Sequence, residues 1–162
     1  MAKAGVRLAN QRLEPCIPAG AGRRAPPHAR HTTPTVPDVS DILAIHELLA
    51  LYGHIIDERE WQRVGELFTD SALYDMSAFG LGVVHGAVAI REMWSRPNAT
   101  HPVAHHATNI VVSEDADGTV RVLSKGLGVA SNGRVGSAVY HDVVVRTSAG
   151  WRFAARRAQL RR

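Results

Sequence analysis

The apolar period changes along residues 38–162, and this change is the feature that most limits the fold. Apolar residues recur at spacings of three and four from Ile42 to Ile56, which predicts one amphipathic helix. After Pro102 the chain is rich in valine and alternates apolar with polar residues, which predicts strands. Because the helices must cover one face of the resulting sheet, the sequence predicts an α+β layer fold.

Shorter elements are predicted between these two regions. Helices are expected at residues 60–68 and 87–96, the latter ended by Pro97, with short strands at 72–78 and 82–85. Four long strands are expected at residues 103–113, 119–131, 134–147 and 151–160, and Asn132–Gly133 predicts a tight hairpin. Three helices that cover one face of a curved, mostly antiparallel sheet predict a cone-shaped pocket, and pockets of this kind are where ligands bind.

Residues 1–37 differ in composition from the rest of the chain. They hold six of the eight prolines, none of the nine aromatic residues, and six basic residues against one acid, a net charge of +5. We interpret them as a disordered, basic, Pro-rich extension that precedes a globular domain at 38–162. The sole cysteine, Cys16, lies in this extension, so no disulfide framework is possible.

The remaining composition bears on partners and location. Residues 38–162 carry 13 basic and 14 acidic residues, so the folded part is nearly neutral and no nucleic-acid-binding face is predicted. No apolar run reaches the roughly 18 residues that suggest a membrane span, and no secretory signal is recognisable. We expect a cytoplasmic protein with neither nucleic acid nor membrane as a partner.

Several short motifs follow one another in a characteristic order. They are Tyr52, Asp57 and Trp61; Leu67-Phe68-Thr69-Asp70; His85-Gly86; His105-His106-Ala107-Thr108-Asn109; Tyr140-His141-Asp142; and Gly150 to Arg157. In their order and spacing they resemble the SnoaL-like family of the nuclear transport factor two-like superfamily. This resemblance implies a cone-shaped α+β barrel with a deep apolar pocket, as in polyketide cyclases, scytalone dehydratase, a dehydrochlorinase and ketosteroid isomerase.

The resemblance also implies a catalytic pair, Asp57 and His105. In the dehydratase and dehydrochlorinase relatives, an Asp on the first helix orients a His on the first long strand, and that His removes a substrate proton. Imidazole suits this role because it is largely a free base at neutral pH. A carboxylate bonded to its other nitrogen fixes the tautomer. The alternatives are that Asp57 caps the helix end, or pairs locally with His54, and that the strand histidines are structural.

Strand alternation alone does not choose between His105 and His106, which point to opposite faces. It groups Ala107, Asn109 and Val111 with His105, and Ala104, Thr108, Ile110 and Val112 with His106. Neither group is clearly the more polar. The choice of His105 as the pocket residue therefore depends on the resemblance.

Four further residues complete the candidate site. The resemblance implies that Arg156 stabilises developing negative charge, with a partly exposed strand arginine as the alternative. Tyr52, Asn109 and Trp94 are assigned to substrate binding, although a Tyr at the position of Tyr52 is more often a core residue. The strand from Val122 to Leu127 lacks the second pocket histidine of scytalone dehydratase, so the resemblance does not extend to its two-histidine scheme.

The resulting hypothesis is a cofactor-independent lyase, isomerase or cyclase acting on a small, mostly apolar molecule with an acidified C–H. The alternative is a non-catalytic ligand-binding protein or accessory subunit, like the dioxygenase beta subunit of the same fold. No dinucleotide, P-loop or serine-hydrolase motif and no metal-ligand spacing is present, so neither cofactor nor metal is expected. The valine-rich sheet predicts a homodimer or homotrimer.

Overall fold

A computed structural model describes residues 37–161, which form an α+β fold. Its two α-helices are α1 (Val39–Asp57) and α2 (Ala87–Trp94), and its short 3-10 segments are Trp61–Glu66 and Ser77–Phe79. The strands are β1 (Phe68–Asp75), β2 (Val83–His85), β3 (Ala104–Glu114), β4 (Val120–Val129), β5 (Val135–Thr147) and β6 (Gly150–Leu160). The predicted fold class is confirmed. The extension predicted at 1–37 lies outside the described residues, apart from Pro37.

The strands form one six-stranded sheet in the order β2-β1-β6-β5-β4-β3. Every neighbouring pair is antiparallel except β1 and β6, which run parallel. The hairpin between β4 and β5 turns at Asn132–Gly133, where Gly133 has a φ of 79°. This left-handed conformation favours glycine and matches the predicted turn.

The helix α1 supplies most of the layer that covers the sheet. The Asp38 carboxylate accepts the Asp41 N–H at 2.9 Å, so Asp38 caps the start of the helix. Its buried residues are Ile45, Leu48, Leu49, Tyr52, Gly53, Ile55 and Ile56. The helix also has the length and mean hydropathy, 1.4, of a membrane span. The same length and hydropathy are typical of a core helix with a buried apolar face, which α1 has.

Two predicted elements differ from those observed. The predicted helix at 60–68 is a single 3-10 segment, and Phe68 instead begins β1, because its fully buried ring faces Phe153 across the sheet. The strand predicted at 72–78 ends at Asp75, whose carboxylate accepts the Ser77 N–H at 3.1 Å and turns the chain. In both cases a tertiary or side-chain contact overrides the local pattern.

Candidate active site

Asp57 and His105 form a pair at the junction of α1 and β3. The backbone N–H of His105 donates to Asp57 Oδ2 at 2.9 Å, and its Nδ1 donates to Oδ1 at 2.6 Å. The two side chains retain 19% and 15% of their surface exposed, respectively. Because both carboxylate oxygens are engaged, the carboxylate cannot rotate freely, and Nε2 is left as the ring nitrogen with a lone pair.

A glycine lets α1 approach β3 closely enough for this pair to form. Gly53 lies one turn before Asp57, and a Cβ added there would lie 2.8 Å from the His105 carbonyl oxygen. Sequence reasoning did not single out Gly53. The available signal was a glycine inside a strong helical period, which often marks close backbone approach.

A bulge in β3 changes which residues face the core. The register against β4 shifts between Thr108 and Val111, and Asn109 has a φ of 51°. Ala107, Ile110 and Val112 all pack against the core, whereas Val111 is 57% exposed. The predicted grouping of Ile110 and Val112 with His106 is therefore wrong, because the extra residue of the bulge reverses the alternation.

The same bulge places Asn109 on the exposed surface, where its Oδ1 accepts the Thr108 hydroxyl at 2.8 Å. The grouping of Asn109 with His105 on one face is thus also wrong. His106 and His54 are exposed. Asp57 directs both of its oxygens to His105, so it is not held by a local pair with His54.

Tyr52 and Trp94, assigned to substrate binding, lie in the core with their rings in edge contact at 5.7 Å. The Tyr52 hydroxyl shares a hydrogen bond of 2.8 Å with the Tyr74 hydroxyl, and its ring lies 6.4 Å from the His105 ring. Burial raises the pKa of Tyr52 well above its ordinary value and that of Tyr74 to about 12. Both phenols are therefore neutral at physiological pH and act as hydrogen-bonding groups.

Arg156 lies at the centre of the molecule with only 1% of its surface exposed. Its Nε and Nη2 donate to the two Asp142 oxygens at 2.9 and 2.8 Å. Burial opposes its charge, but the Asp142 carboxylate outweighs that effect and raises the pKa of Arg156. Burial also raises the pKa of Asp142, yet the two bonds from a charged guanidinium favour the carboxylate, so we describe the pair as ionic.

Aromatic rings surround this buried ion pair. The guanidinium carbon lies 4.1 Å from the centre of the Tyr52 ring, 4.5 Å from that of Tyr140 and 4.0 Å from that of Phe153. Such cation–π contacts are strongest when desolvated. Sequence reasoning missed Asp142 as a partner, because charged residues on a strand usually face solvent.

A second histidine lies near the dyad. His101 Nε2 donates to the Trp94 carbonyl oxygen at 2.8 Å, and its ring packs at 5.1 Å against Trp61. Burial lowers the pKa of His101. The Arg59 guanidinium covers the Trp61 ring at 5.7 Å. His101 is thus a half-buried neutral ring at the edge of the site.

A cluster of aromatic rings packs beside the dyad. Five rings contact one another edge to face or tilted, with centres 5.3–6.4 Å apart, namely Tyr52, Phe68, Tyr74, Trp94 and Phe153. Two surface grooves of about 400 and 310 Å³ open along β4 and β5, and neither includes Asp57 or His105. Within residues 37–161, no three His, Cys, Asp or Glu side chains are placed to hold a metal ion.

The fold and this pair define a small α+β protein in which a helix carboxylate holds a strand imidazole. The model of the SnoaL-like domain family matches residues 37–157, and the chain belongs to that family. The nuclear transport factor two-like fold is shared by a Novosphingobium aromaticivorans protein that is 25% identical to this chain, with a TM-score of 0.58 over 75% of this chain and 82% of its own.

Known proteins agree with this assignment. Uncharacterized proteins of Mycobacterium bovis and Mycobacterium tuberculosis are 32% identical over 128 residues, which cover 75% of this chain and 86% of theirs. A Novosphingobium aromaticivorans protein whose suggested role is aromatic ring hydroxylation is 29% identical, with a TM-score of 0.62 over 76% of this chain and 90% of its own. A type 2 hexachlorocyclohexane dehydrochlorinase, 18% identical, shares the fold with a TM-score of 0.63 over 76% of this chain and 87% of its own.

Proposed function

We propose that this protein is a cofactor-independent lyase, isomerase or cyclase in which His105 is the general base and Asp57 orients it. The supporting observation is the double hydrogen bond from His105 to one carboxylate. It fixes both the backbone and the ring of His105 relative to α1. A base held in this way removes a proton without first paying an entropic cost to orient itself.

In the proposed mechanism, His105 Nε2 takes a proton from an acidified carbon of the substrate. The electron pair of that C–H bond moves into an adjacent carbonyl or expels a leaving group on the neighbouring carbon. The imidazolium that forms is stabilised by the ionised Asp57 on Nδ1. In an isomerisation, the proton returns to another carbon of the enolate. In a cyclisation, the enolate carbon attacks a second carbonyl carbon of the substrate, the ring-closing C–C bond forms, and the proton goes to the alkoxide left on that carbonyl oxygen. In an elimination, the leaving group departs with its electron pair and the proton is lost to solvent.

The other assigned residues take supporting roles in this proposal. Arg156 is already paired with Asp142, and its guanidinium lies against the Tyr52 ring. We assign it to positioning Tyr52, rather than to direct contact with a leaving group. Tyr52 and Trp94 form the apolar floor behind His105, whereas exposed Asn109 has no contact that supports substrate binding.

The experiment uses 5-nitrobenzisoxazole, an apolar aromatic carbon acid whose ring opening directly reports proton removal. The parent is expected to accelerate ring opening, and His105→Ala to lose about 10²–10⁴-fold of that rate. Asp57→Asn should also slow it. The matched control is His106→Ala, which removes an exposed histidine from the adjacent strand position. Equal rates for His105→Ala and His106→Ala would contradict the proposal.

A second candidate function is ligand binding or assembly without catalysis. The packed aromatic rings beside His105 support this alternative, because they form a close-packed core next to that residue. In that case, the parent binds apolar ligands but shows no ring opening above solution rates at any concentration. Comparison of binding and turnover for the same probe separates the two functions.

We also propose that copies of the chain associate through the outer face of the sheet. Val111 and Leu123 are directly paired across β3 and β4, and they are 57% and 46% exposed. Leu127 and Val145, each 37% exposed, lie on the same face, which also carries the exposed Arg121 and Lys125 of β4. A broad face of this kind is self-complementary in a symmetric dimer.

A further inference from the structure

The hydroxyl of Ser124 is a buried polar group without a partner. Ser124 lies on β4 with none of its surface exposed, and its Oγ makes no hydrogen bond within residues 37–161. The neighbours Leu123 and Lys125 are exposed, so Ser124 points to the inner face of the sheet. An unpaired buried hydroxyl destabilises a fold, because its lost hydration is not replaced. The presence of such a destabilising group in the folded protein therefore needs an explanation.

Small residues lie to one side of Ser124 on the inner face. Gly126 is the next inward residue of β4, and its partners across the neighbouring strands are Ala107 and Ala138. The Tyr140 ring lies over Gly126, since a Cβ there would be 2.3 Å from Tyr140 Cε2. Tyr140 is also the residue directly opposite Ser124 in the register. On its Gly126 side, Ser124 therefore adjoins a surface of low side-chain bulk covered by the Tyr140 ring, and on its other side lies buried Val122, whose partner on β5 is Asp142.

That ring is not fixed by its polar end. The Tyr140 hydroxyl makes no side-chain hydrogen bond within residues 37–161, in contrast to the Tyr52 and Tyr74 hydroxyls, which bond to each other. Burial raises the pKa of Tyr140, so its phenol is neutral. The ring is held instead by the Arg156 guanidinium, 4.5 Å from its centre, and by edge contact with the Tyr52 ring at 6.2 Å. A ligand with an aromatic ring of its own replaces these contacts when it displaces Tyr140 and takes the space over Gly126 beside Ser124.

The Ser124 hydroxyl is separate from the dyad. His105 pairs with Gly128 of β4, and Ser124 lies four residues before Gly128 on the same strand. At the usual rise of a strand, this is about 13 Å. A change at Ser124 should therefore leave the Asp57–His105 hydrogen bonds intact.

We propose that Ser124 is a ligand-recognition residue, whose hydroxyl bonds a hydroxyl or carbonyl oxygen at the buried end of an apolar ring compound. This inference rests on the proposed function in taking that compound as the substrate. Binding at Ser124 nevertheless does not require His105 to act as a base. The oxygen supplies the partner that Oγ lacks, and the small residues and the Tyr140 ring accommodate the apolar body.

The experiment compares phenol with toluene, which have similar shapes and differ in a hydroxyl against a methyl group. In the parent, phenol should bind more tightly than toluene, and the Ser124 and Tyr140 amide signals should shift on titration with phenol. Ser124→Ala should weaken phenol binding about 3- to 10-fold, the value of one hydrogen bond, and leave toluene binding unchanged. The control Ser113→Ala, at an exposed position on β3, should change neither.

Thermal unfolding gives a second readout: Ser124→Ala should weaken phenol binding but raise the melting temperature of the free protein. Without ligand, Ser124→Ala should melt at a higher temperature than the parent, because it removes an unpaired buried hydroxyl. A lower melting temperature combined with unchanged phenol binding would overturn the proposal, since it would show that a buried water or protein group already satisfies Oγ. Equal loss of phenol and toluene binding, or no preference for phenol in the parent, would also overturn it.

The His105→Ala variant separates this inference from the proposed function. It should retain the Ser124-dependent preference for phenol even though ring opening of 5-nitrobenzisoxazole is lost. If ring opening proves independent of His105, the proposed function fails, and the phenol measurement still decides the role of Ser124.

Discussion

Gly53 and His105 are in such close contact that a side chain on Gly53 would overlap the backbone of β3. A Cβ at Gly53 would lie 2.8 Å from the His105 carbonyl oxygen, closer than ordinary packing allows. Gly53 precedes Asp57 by one helical turn, so the contact also sets how far the Asp57 carboxylate lies from His105. The absence of a side chain at residue 53 is thus part of the candidate site.

In Gly53→Ala, the overlap of the new Cβ with β3 is expected to lower the free energy of unfolding by about 1–3 kcal/mol. Replacing a helical glycine by alanine offsets about 1 kcal/mol of that loss. It should also slow any His105-dependent reaction, because α1 and β3 move apart. Urea denaturation measures the first effect. The control is Gly65→Ala, where a Cβ meets nothing within 4 Å. If Gly53→Ala and Gly65→Ala were equally stable, α1 could move away from β3 without loss of stability, and the close contact at Gly53 would not be required.

The buried ion pair predicts a large effect from a change that hardly alters shape. Asp142→Asn leaves the Arg156 charge buried without its carboxylate and should destabilise the fold by about 3–5 kcal/mol. Asp70→Asn, at an exposed strand position, is the control and should be nearly neutral. Combining Asp142→Leu with Arg156→Met should recover part of the loss, because no unpaired charge remains. A mild effect of Asp142→Asn would mean that Arg156 finds another acceptor.

His101 predicts a specific dependence of stability on pH. Burial lowers the pKa of His101 below its ordinary value of about 6.5, so the unfolded chain binds a proton more readily at this residue. Its contribution to stability is therefore present above about pH 6.5 and is lost as the pH falls through the folded-state value. The parent should lose more stability than His101→Gln between about pH 7.5 and 5.5. Identical losses in urea denaturation would contradict this assignment.

Leu123 tests the proposed association of copies through the outer sheet face. Leu123→Glu places a charge at the centre of that face and should shift the protein toward monomer in sedimentation equilibrium. Val88→Glu is the matched control, since Val88 is 62% exposed but lies on α2. A parent that remains monomeric at high micromolar concentration would contradict the association itself.

The elements with strong periodicity were predictable from the sequence, and those fixed by tertiary contacts were not. The apolar spacing in α1 and the alternation in the four long strands gave element positions within one or two residues of those observed. Phe68 was assigned to a helix because local spacing carries no information about its pairing with Phe153 in the sheet. One extra residue at Asn109 likewise reverses every later assignment of faces in β3.

The candidate site shows the same division. Asp57 and His105 could be named from the resemblance, and they lie in direct contact. The burial of Arg156 and Asp142 could not be foreseen, because two charges on neighbouring strands usually indicate an exposed pair. Packing of the aromatic rings beside the dyad depends on side-chain volumes across the whole sheet, which a linear pattern does not report.

The ¹⁵N chemical shifts of the His105 ring test the central claim most directly. At about pH 8, where an imidazole is mostly neutral, the parent should carry its proton on Nδ1, because Asp57 accepts from that atom, and leave Nε2 as the base. Asp57→Asn should abolish this preference. If Nε2 carries the proton in the parent, or if Asp57→Asn leaves the tautomer unchanged, Asp57 does not prepare His105 to act as a base.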